Sequence, residues 1–378
     1  MPESNLLTDR QTDRQTDRQT RNKSLDLVKF FTIFLVVWGH VVQQTSNLQC
    51  WPVQEDPMMR LIYTMHMPLF MGLCGYFFYG SLKKLKTIGN YVRHKLPARL
   101  LGLFVPMISF GALKLLCDYA WGKAVPTQIL PLLKHWYYAA HGVWFLGDVA
   151  VNTVIVLITL LFCKGNFRHD WKYFFIFLPL SMIPYLSYKS PHMYLFFVFG
   201  FWIAAYDWQD KIHFFTYWKQ GLAVFVLSYL AFSYMPWPPM DFWYDFKHFS
   251  MIQLLVNDGL KMILGISGSF LAFVAAHRIE VFIKGNRLYN WMTNQGRFTL
   301  DIYLLQIIFV ENIFGPTYKL LVHDRSVNWI CDYGLLWKTI ATFCMGIVLF
   351  TLITFIDELL QRNSFFTKIL FGCVKSFV

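Results

Sequence analysis

Residues 24–40 read SLDLVKFFTIFLVVWGH. They lie in an apolar run, Leu25–Gln43, close to the roughly 20 residues that a membrane-spanning helix needs. The run is interrupted at two depths. Lys29 and His40 are eleven residues apart, which on an α-helix is three turns plus roughly 20°, so their side chains share one face. They are separated along the axis by about 16 Å. Asp26 stands one turn before Lys29, and Gln43 one turn after His40, both near that face. A polar stripe turned toward lipid is costly, so ionisable groups in a span normally face the bundle interior and mark functional positions. Taken singly, Lys29 also has a plainer reading, snorkelling to the headgroups, and His40 another, a wetted boundary position. The joint pattern favours an interior polar passage.

The rest of the chain supports the reading of this helix as one of many. Of 378 residues, 56% are hydrophobic and 15% charged, where soluble domains carry roughly 25% charged residues. Nine further apolar runs follow, near Leu61–Tyr79, Leu100–Trp121, Val143–Cys163, Trp171–Leu186, Pro191–Tyr206, Phe214–Tyr234, Gly259–His277, Phe298–Pro316 and Leu335–Ile356. The fold expected is an all-α integral membrane protein, a single bundle of about ten transmembrane helices over residues 25–357. The fifth and sixth runs are short, joined by YKSPH, and can instead form a re-entrant pair. Residues 1–24, with the repeat TDRQTDRQTDRQT, have no apolar face to bury and are expected to be disordered. Residues 358–378 are expected to be a cytoplasmic tail.

The net charge of +12 would suggest nucleic acid on a soluble protein. Here the basic residues cluster before the first run, between the second and third, and between the eighth and ninth. With ten spans these segments share one side, which positive-inside bias makes the cytoplasm, with both termini there. No nucleic-acid module is visible. The seven cysteines form neither a CxxC nor a Cys/His metal spacing, so no metal site is expected. Cys50 and Cys331 fall in outer loops, either as a disulfide or as free thiols.

Other polar groups enter the membrane. In MHMPLFMGLCGYFF, residues 65–78, His66 lies at a depth similar to His40 and is a candidate partner for it. A histidine bonded to a carbonyl that Pro68 frees is the structural alternative. Gly72 and Gly75 allow close helix contact. Asn257, Asp258 and Lys261 open the eighth run. In GRFTLDIYLLQ, residues 296–306, Thr299, Tyr303 and Gln306 share a face at i, i+4 and i+7. Asp301 and Glu311 fall off it, and a structural reading is preferred for both.

Four segments in order resemble the acyltransferase-3 family of membrane O-acyltransferases: RNKSLDLVKFFTIFLVVWGH, MHMPLFMGLCGYFF, HGVWFL at residues 141–146, and GRFTLDIYLLQ. The likeness spans roughly residues 21–357. It implies transfer of an acyl group, by family habit acetyl, from cytoplasmic acetyl-CoA to a hydroxyl of an extracytoplasmic or lipid-linked glycan in the cell (inner) membrane, with no permanently bound cofactor. His40 would be the base, or take the acyl group transiently, with Lys29, Asp26 and His66 as further catalytic candidates. Arg93, Lys95 and Arg99 would hold the phosphates of coenzyme A, although the link RHKLPARLLGLFVP matches the family pattern only loosely and plain membrane anchoring explains it too. Trp144, Tyr303 and Gln306 would meet the acceptor. Gln306 stands where many members have His, so it can only hydrogen-bond. In the loop YMPWPPMDFWYDFKHF, Trp243 and Asp245 would stack on and bind a sugar, with an interfacial aromatic belt as the alternative. The main rival to the whole reading is a transporter or flippase of lipid-linked sugars, and a second is a sensor or structural membrane protein in which the polar stripe is packing only.

Overall fold

The computed structural model describes residues 22–46, 56–164, 171–182, 192–208, 214–233, 250–323 and 334–372, and every regular element among them is helical. Helix α1 spans Lys23–Ser46. Asn22 caps it, its Oδ1 accepting from Leu25 N at 3.2 Å, and Asp26 in the first turn complements the helix dipole. Helix α2 spans Pro57–Leu85, with Asp56 as the capping residue and proline at the first helical position. Then come α3 (Ile88–His94), α4 (Leu96–Ala120), α5 (Ile129–His141), α6 (Trp144–Phe162), α7 (Lys172–Ile176), α8 (His192–Ala205), α9 (Trp218–Ser233) and α10 (Met251–Ile283). The chain continues through α11 (Arg287–Gln295), α12 (Thr299–Gln306), a π-helix (Ile307–Phe314), α13 (Gly315–His323), α14 (Gly334–Gln361) and α15 (Ser364–Phe371).

The bundle is apolar outside as well as inside. Leu101, Ile108 and Leu116 of α4 and Leu336, Val348 and Phe355 of α14 are exposed, a surface suited to lipid rather than water. The chain is a multi-pass membrane protein. Among the described residues, six helices are long and apolar enough to cross a membrane: α1, α2, α4, α6, α10 and α14. A seventh span results if α11 and residues 299–322, which meet at 71°, count as one.

The expected count of about ten is therefore not reached among the described residues. The sixth run is α8, whose 14 residues extend about 21 Å, short of a hydrocarbon core of about 30 Å. The seventh becomes a 3₁₀ turn, Phe214–Tyr217, followed by the 16 residues of α9. The fifth breaks into α7 and the 3₁₀ turn Leu178–Met182, where Pro179 cannot donate to a continuing helix. Within its described residues α8 is buried in the bundle, with Tyr194, Phe197 and Phe201 fully buried.

Helix α8 lies against α2 at backbone contact. A Cβ on Gly75 would fall on the Phe197 carbonyl oxygen, and one on Gly200 on that of Gly72. The two glycines read from the sequence as contact points are thus where the helices meet. The pairing lines α2 up along its length against the core, and so fixes the face on which Tyr63 and His66 stand.

Ion pairs tie the helices together away from the polar stripe. Lys338 of α14 pairs with Asp56, and its Nζ lies 2.7 Å from Ser46 Oγ, which itself lies 2.8 Å from Asp56 Oδ2. Asp56 also caps α2, accepting from Met58 N and Met59 N. Both charges are buried, so removing one strands the other. Lys338→Met should destabilise the protein by about 3–5 kcal/mol, seen as earlier thermal unfolding in detergent. Asp56→Asn/Lys338→Met should recover most of that, because asparagine still caps the helix. Unfolding of Lys338→Met at the wild-type temperature would show the pair to be dispensable. At the start of the eighth run, Asp258 meets His192 Nε2 of α8 at 3.0 Å and Lys261 Nζ at 3.5 Å, which joins α8 to α10.

Residues 1–21, Cys50 and Cys331 lie outside the described residues, as do Trp243 and Asp245. Within the segment read as a tail, α14 runs on to Gln361, and α15 packs along α4, with Phe371 buried 5.9 Å from the Phe110 ring and Ser109 Oγ bonded to the Ile369 carbonyl at 2.5 Å.

Candidate active site

The polar stripe of α1 faces inward, and its two ends open on different structures. At the Lys29 end, Lys29 Nζ pairs with Asp26 Oδ1 at 2.8 Å, with both side chains about 6% exposed. The ammonium also sits 5.0 Å from the Phe77 ring centroid. This lysine is buried and paired rather than snorkelling. The position is enforced by the bend between α11 and α12, where a Cβ on Gly296 would fall on the Asp26 carbonyl oxygen. Only glycine lets that corner seat against the first turn of α1.

Lys29 lines a cavity of about 310 Å³. Along α2 its wall runs from Lys84 through Ser81, Phe77, Cys74 and Phe70 to Met67. The seventeen steps from Met67 to Lys84, at 1.5 Å each, make this a slot about 25 Å long. Arg99 and Gly102 of α4, Phe145 and Leu146 of α6, and Thr299 and Tyr303 of α12 complete it. Lys29, Lys84 and Arg99 give it cationic character at one end. Arg99 lies over the Phe78 ring at 5.4 Å, which aims its guanidinium along the wall. Tyr303 marks the other end, its ring edge-on to that of Phe145 in the first turn of α6 with centroids 5.6 Å apart.

Beyond Tyr303 lies the His40 end. Glu311 Oε1 stands 3.2 Å from His40 Nδ1, and the two side chains are 17% and 23% exposed. The ring of Tyr63 neighbours both histidines, 6.3 Å from His40 and 4.6 Å from His66, and its hydroxyl bonds Gln43 Oε1 at 3.2 Å. His66 is committed to its own helix, with Nδ1 at 2.6 Å from the Ile62 carbonyl. That carbonyl is not the one Pro68 leaves free, which belongs to Thr64. Gln306 is fully buried beside Glu311, and Lys114 of α4, whose Nζ lies against Gly142, is a cation facing the same carboxylate.

The structure thus brings together Asp26 and Lys29, sets Tyr303 and Arg99 on one cavity wall, and places Gln306 beside the His40 contact. It does not bring Arg93 or Lys95 to the cavity. Both are exposed on α3 and at its end, and Lys84 occupies the wall instead. Trp144 is half-buried against Phe145, with ring centroids 6.1 Å apart. Asp301 meets Gln361 Nε2 at 3.3 Å, in keeping with a structural role.

Glu311 is the residue that the sequence pattern misplaces. On an α-helix it lies far round from Gln306, but here residues 307–314 form a π-helix, in which residues five apart stack. Asn312 shows the altered register, its Nδ2 bonding the Ile307 carbonyl five residues back at 2.6 Å. No 3.6-residue period can find such a contact. The pairing of an intramembrane acid with an intramembrane histidine was the available signal.

An imidazole beside a carboxylate suits proton transfer to or from a bound group, and the slot, whose lining ends at Tyr303 short of both residues, suits a long donor with anionic groups at its cationic end. The chain belongs to the acyltransferase-3 family: the model of that family, described as an acyltransferase domain, matches residues 22–356. It is a membrane acyltransferase. Two nodulation proteins named NolL are similar to it. That of Mesorhizobium japonicum is 23% identical over 381 residues, covering 93% of this chain and 90% of the relative. That of Sinorhizobium fredii is 27% identical over 201 residues, 48% of this chain and about half (49%) of the relative's length. No solved structure matches the chain.

Proposed function

We propose that the protein transfers an acyl group, acetyl in the first instance, from cytoplasmic acyl-CoA to a hydroxyl of an extracytoplasmic or lipid-linked glycan. The observation that carries this is the slot, with Lys29, Lys84 and Arg99 at one end and Tyr303 at the other, where the His40–Glu311 pair begins. The Lys29 end lies on the side whose links are rich in Lys and Arg, which the positive-inside bias makes cytoplasmic; with the even number of spans read from the sequence both termini lie there, in the cell membrane. The diphosphate of coenzyme A sits among the three cations through charge-assisted hydrogen bonds. Its thin arm fills the apolar slot and carries the thioester to Tyr303.

The acceptor arrives from the opposite side, where the half-buried Trp144 offers an aromatic contact for a sugar; Trp243 and Asp245, in a link the sequence assigns to that side, are the further candidates. His40 takes the proton of the acceptor hydroxyl as its oxygen attacks the thioester carbonyl. The carbon–sulfur bond then breaks, and the thiolate leaves with the proton that His40 returns. Tyr303 stands where the carbonyl oxygen gains negative charge and donates to it.

The test is label transfer in membranes. Labelled acetyl-CoA should place label on glycan, and Lys84→Ala/Arg99→Ala should raise the apparent KM for the donor about tenfold while leaving kcat within twofold, as lost ground-state binding does. Arg93→Ala/Lys95→Ala should change neither, because those side chains lie off the slot. No label on any glycan, or equal effects of the two double variants, would overturn the donor site.

A further inference from the structure

We propose that Glu311 is the positioning residue of His40, and that the π-helix at residues 307–314 serves to deliver it. The proposal rests on the reading of His40 as the base. A histidine base must present one ring nitrogen to the proton it takes, and its tautomer is set by what holds the other. Glu311 Oε1 stands 3.2 Å from Nδ1 at an angle that makes no hydrogen bond as placed, and a small rotation of ring or carboxylate lets it accept the Nδ1 proton and leave Nε2 as the basic nitrogen. The same carboxylate stabilises the imidazolium that forms when the acceptor hydroxyl is deprotonated, as the third member of a catalytic triad does.

Three observations separate this from an incidental ion pair. A carboxylate inside a bundle is expensive, and a structural contact to an imidazole needs only a neutral amide. The chain has one in place, since Gln306 sits beside the same site. Next, an uninterrupted α-helix after Gln306 would turn Glu311 away, and the eight residues of π-helix are what rotate it toward α1. The altered register is held from outside, by Trp121 Nε1 of the α4 end donating to the Asn312 carbonyl at 2.6 Å. Finally, the other charged and titratable groups around the pair come from four elements and none of them brings another acid to His40: Tyr63 from α2 with His66 beyond it, Lys114 from α4, Tyr303 from α12, and Asp148 of α6, which acts on Tyr303.

The experiment compares Glu311→Gln and Glu311→Leu with wild type in reconstituted membranes, after the amount of inserted protein is measured. Glu311→Gln should lower kcat at least 100-fold with the donor KM within threefold. Nitrogen-15 spectra of labelled histidine should show His40 as the Nδ1–H tautomer in wild type and as a mixture in Glu311→Leu. A glutamate that only braces the bundle would lower inserted protein and leave both the KM–kcat split and the tautomer unchanged. Wild-type kcat in Glu311→Gln, or an unchanged tautomer in Glu311→Leu, overturns the proposal. If His40→Ala itself keeps its activity, the fault lies in the reading of His40 and not in the assignment of Glu311.

Discussion

His40→Ala is expected to lower acyl transfer by at least about 10³-fold while the protein inserts at its normal level. A general base contributes about 10²–10⁴-fold, and here the same group is also asked to return the proton to the leaving thiolate. The folding penalty should be small. The side chain is 17% exposed, near one end of a 24-residue helix whose packing comes from Leu27, Ile33, Val36, Val37 and Val41 on other turns. Removing it opens space and strands Glu311, itself partly open to solvent at 23%. His40→Gln serves as the companion variant, because it keeps hydrogen bonding without proton chemistry. Initial rates of label transfer, normalised to protein recovered from the membrane, decide the matter. Either variant transferring acyl groups at more than a tenth of the wild-type rate would remove His40 from the chemistry.

How far the site could be read in advance follows from which rules govern each part. The first helix was legible to the residue, because a single uninterrupted α-helix obeys its 3.6-residue period, and Asp26, Lys29 and His40 do face the interior. The glycines at 72 and 75 were legible for the same reason. The span count was only partly legible. Runs five to seven have the composition of membrane helices, but among the described residues they give only the short helix α7, a 3₁₀ turn, the 14 residues of α8 and the 16 of α9, so the expected ten is not confirmed. Cation placement was half legible. Positive-inside bias finds the basic link but cannot say which of its lysines and arginines turn inward, and only Lys84 and Arg99 do so along the slot. Glu311 was illegible to any periodic argument, since a π-turn resets the register just before it.

Lys29 presents the harder case, because its loss confounds stability with chemistry. Its ammonium is buried at 2.8 Å from Asp26, so Lys29→Ala leaves a carboxylate without its lysine in the bundle interior. That should cost about 3–5 kcal/mol, enough to reduce inserted protein whether or not the lysine meets the donor. The separation comes from replacing the pair together. In Asp26→Asn/Lys29→Met no charge is stranded and the volume is nearly kept, so the protein should insert and melt close to wild type. If the ammonium also stabilises the donor's phosphates, or negative charge along the slot, acyl transfer in that double variant should still fall about 100-fold or more. Lys29→Arg should keep most of the rate, because the charge persists beside the same 310 Å³ cavity. A folded double variant with wild-type transfer would make Lys29 an anchor for the start of α1 and nothing more. An Arg variant as inactive as the double variant would mean that the shape of the lysine, threaded between Asp26 and the Phe77 ring, matters more than its charge.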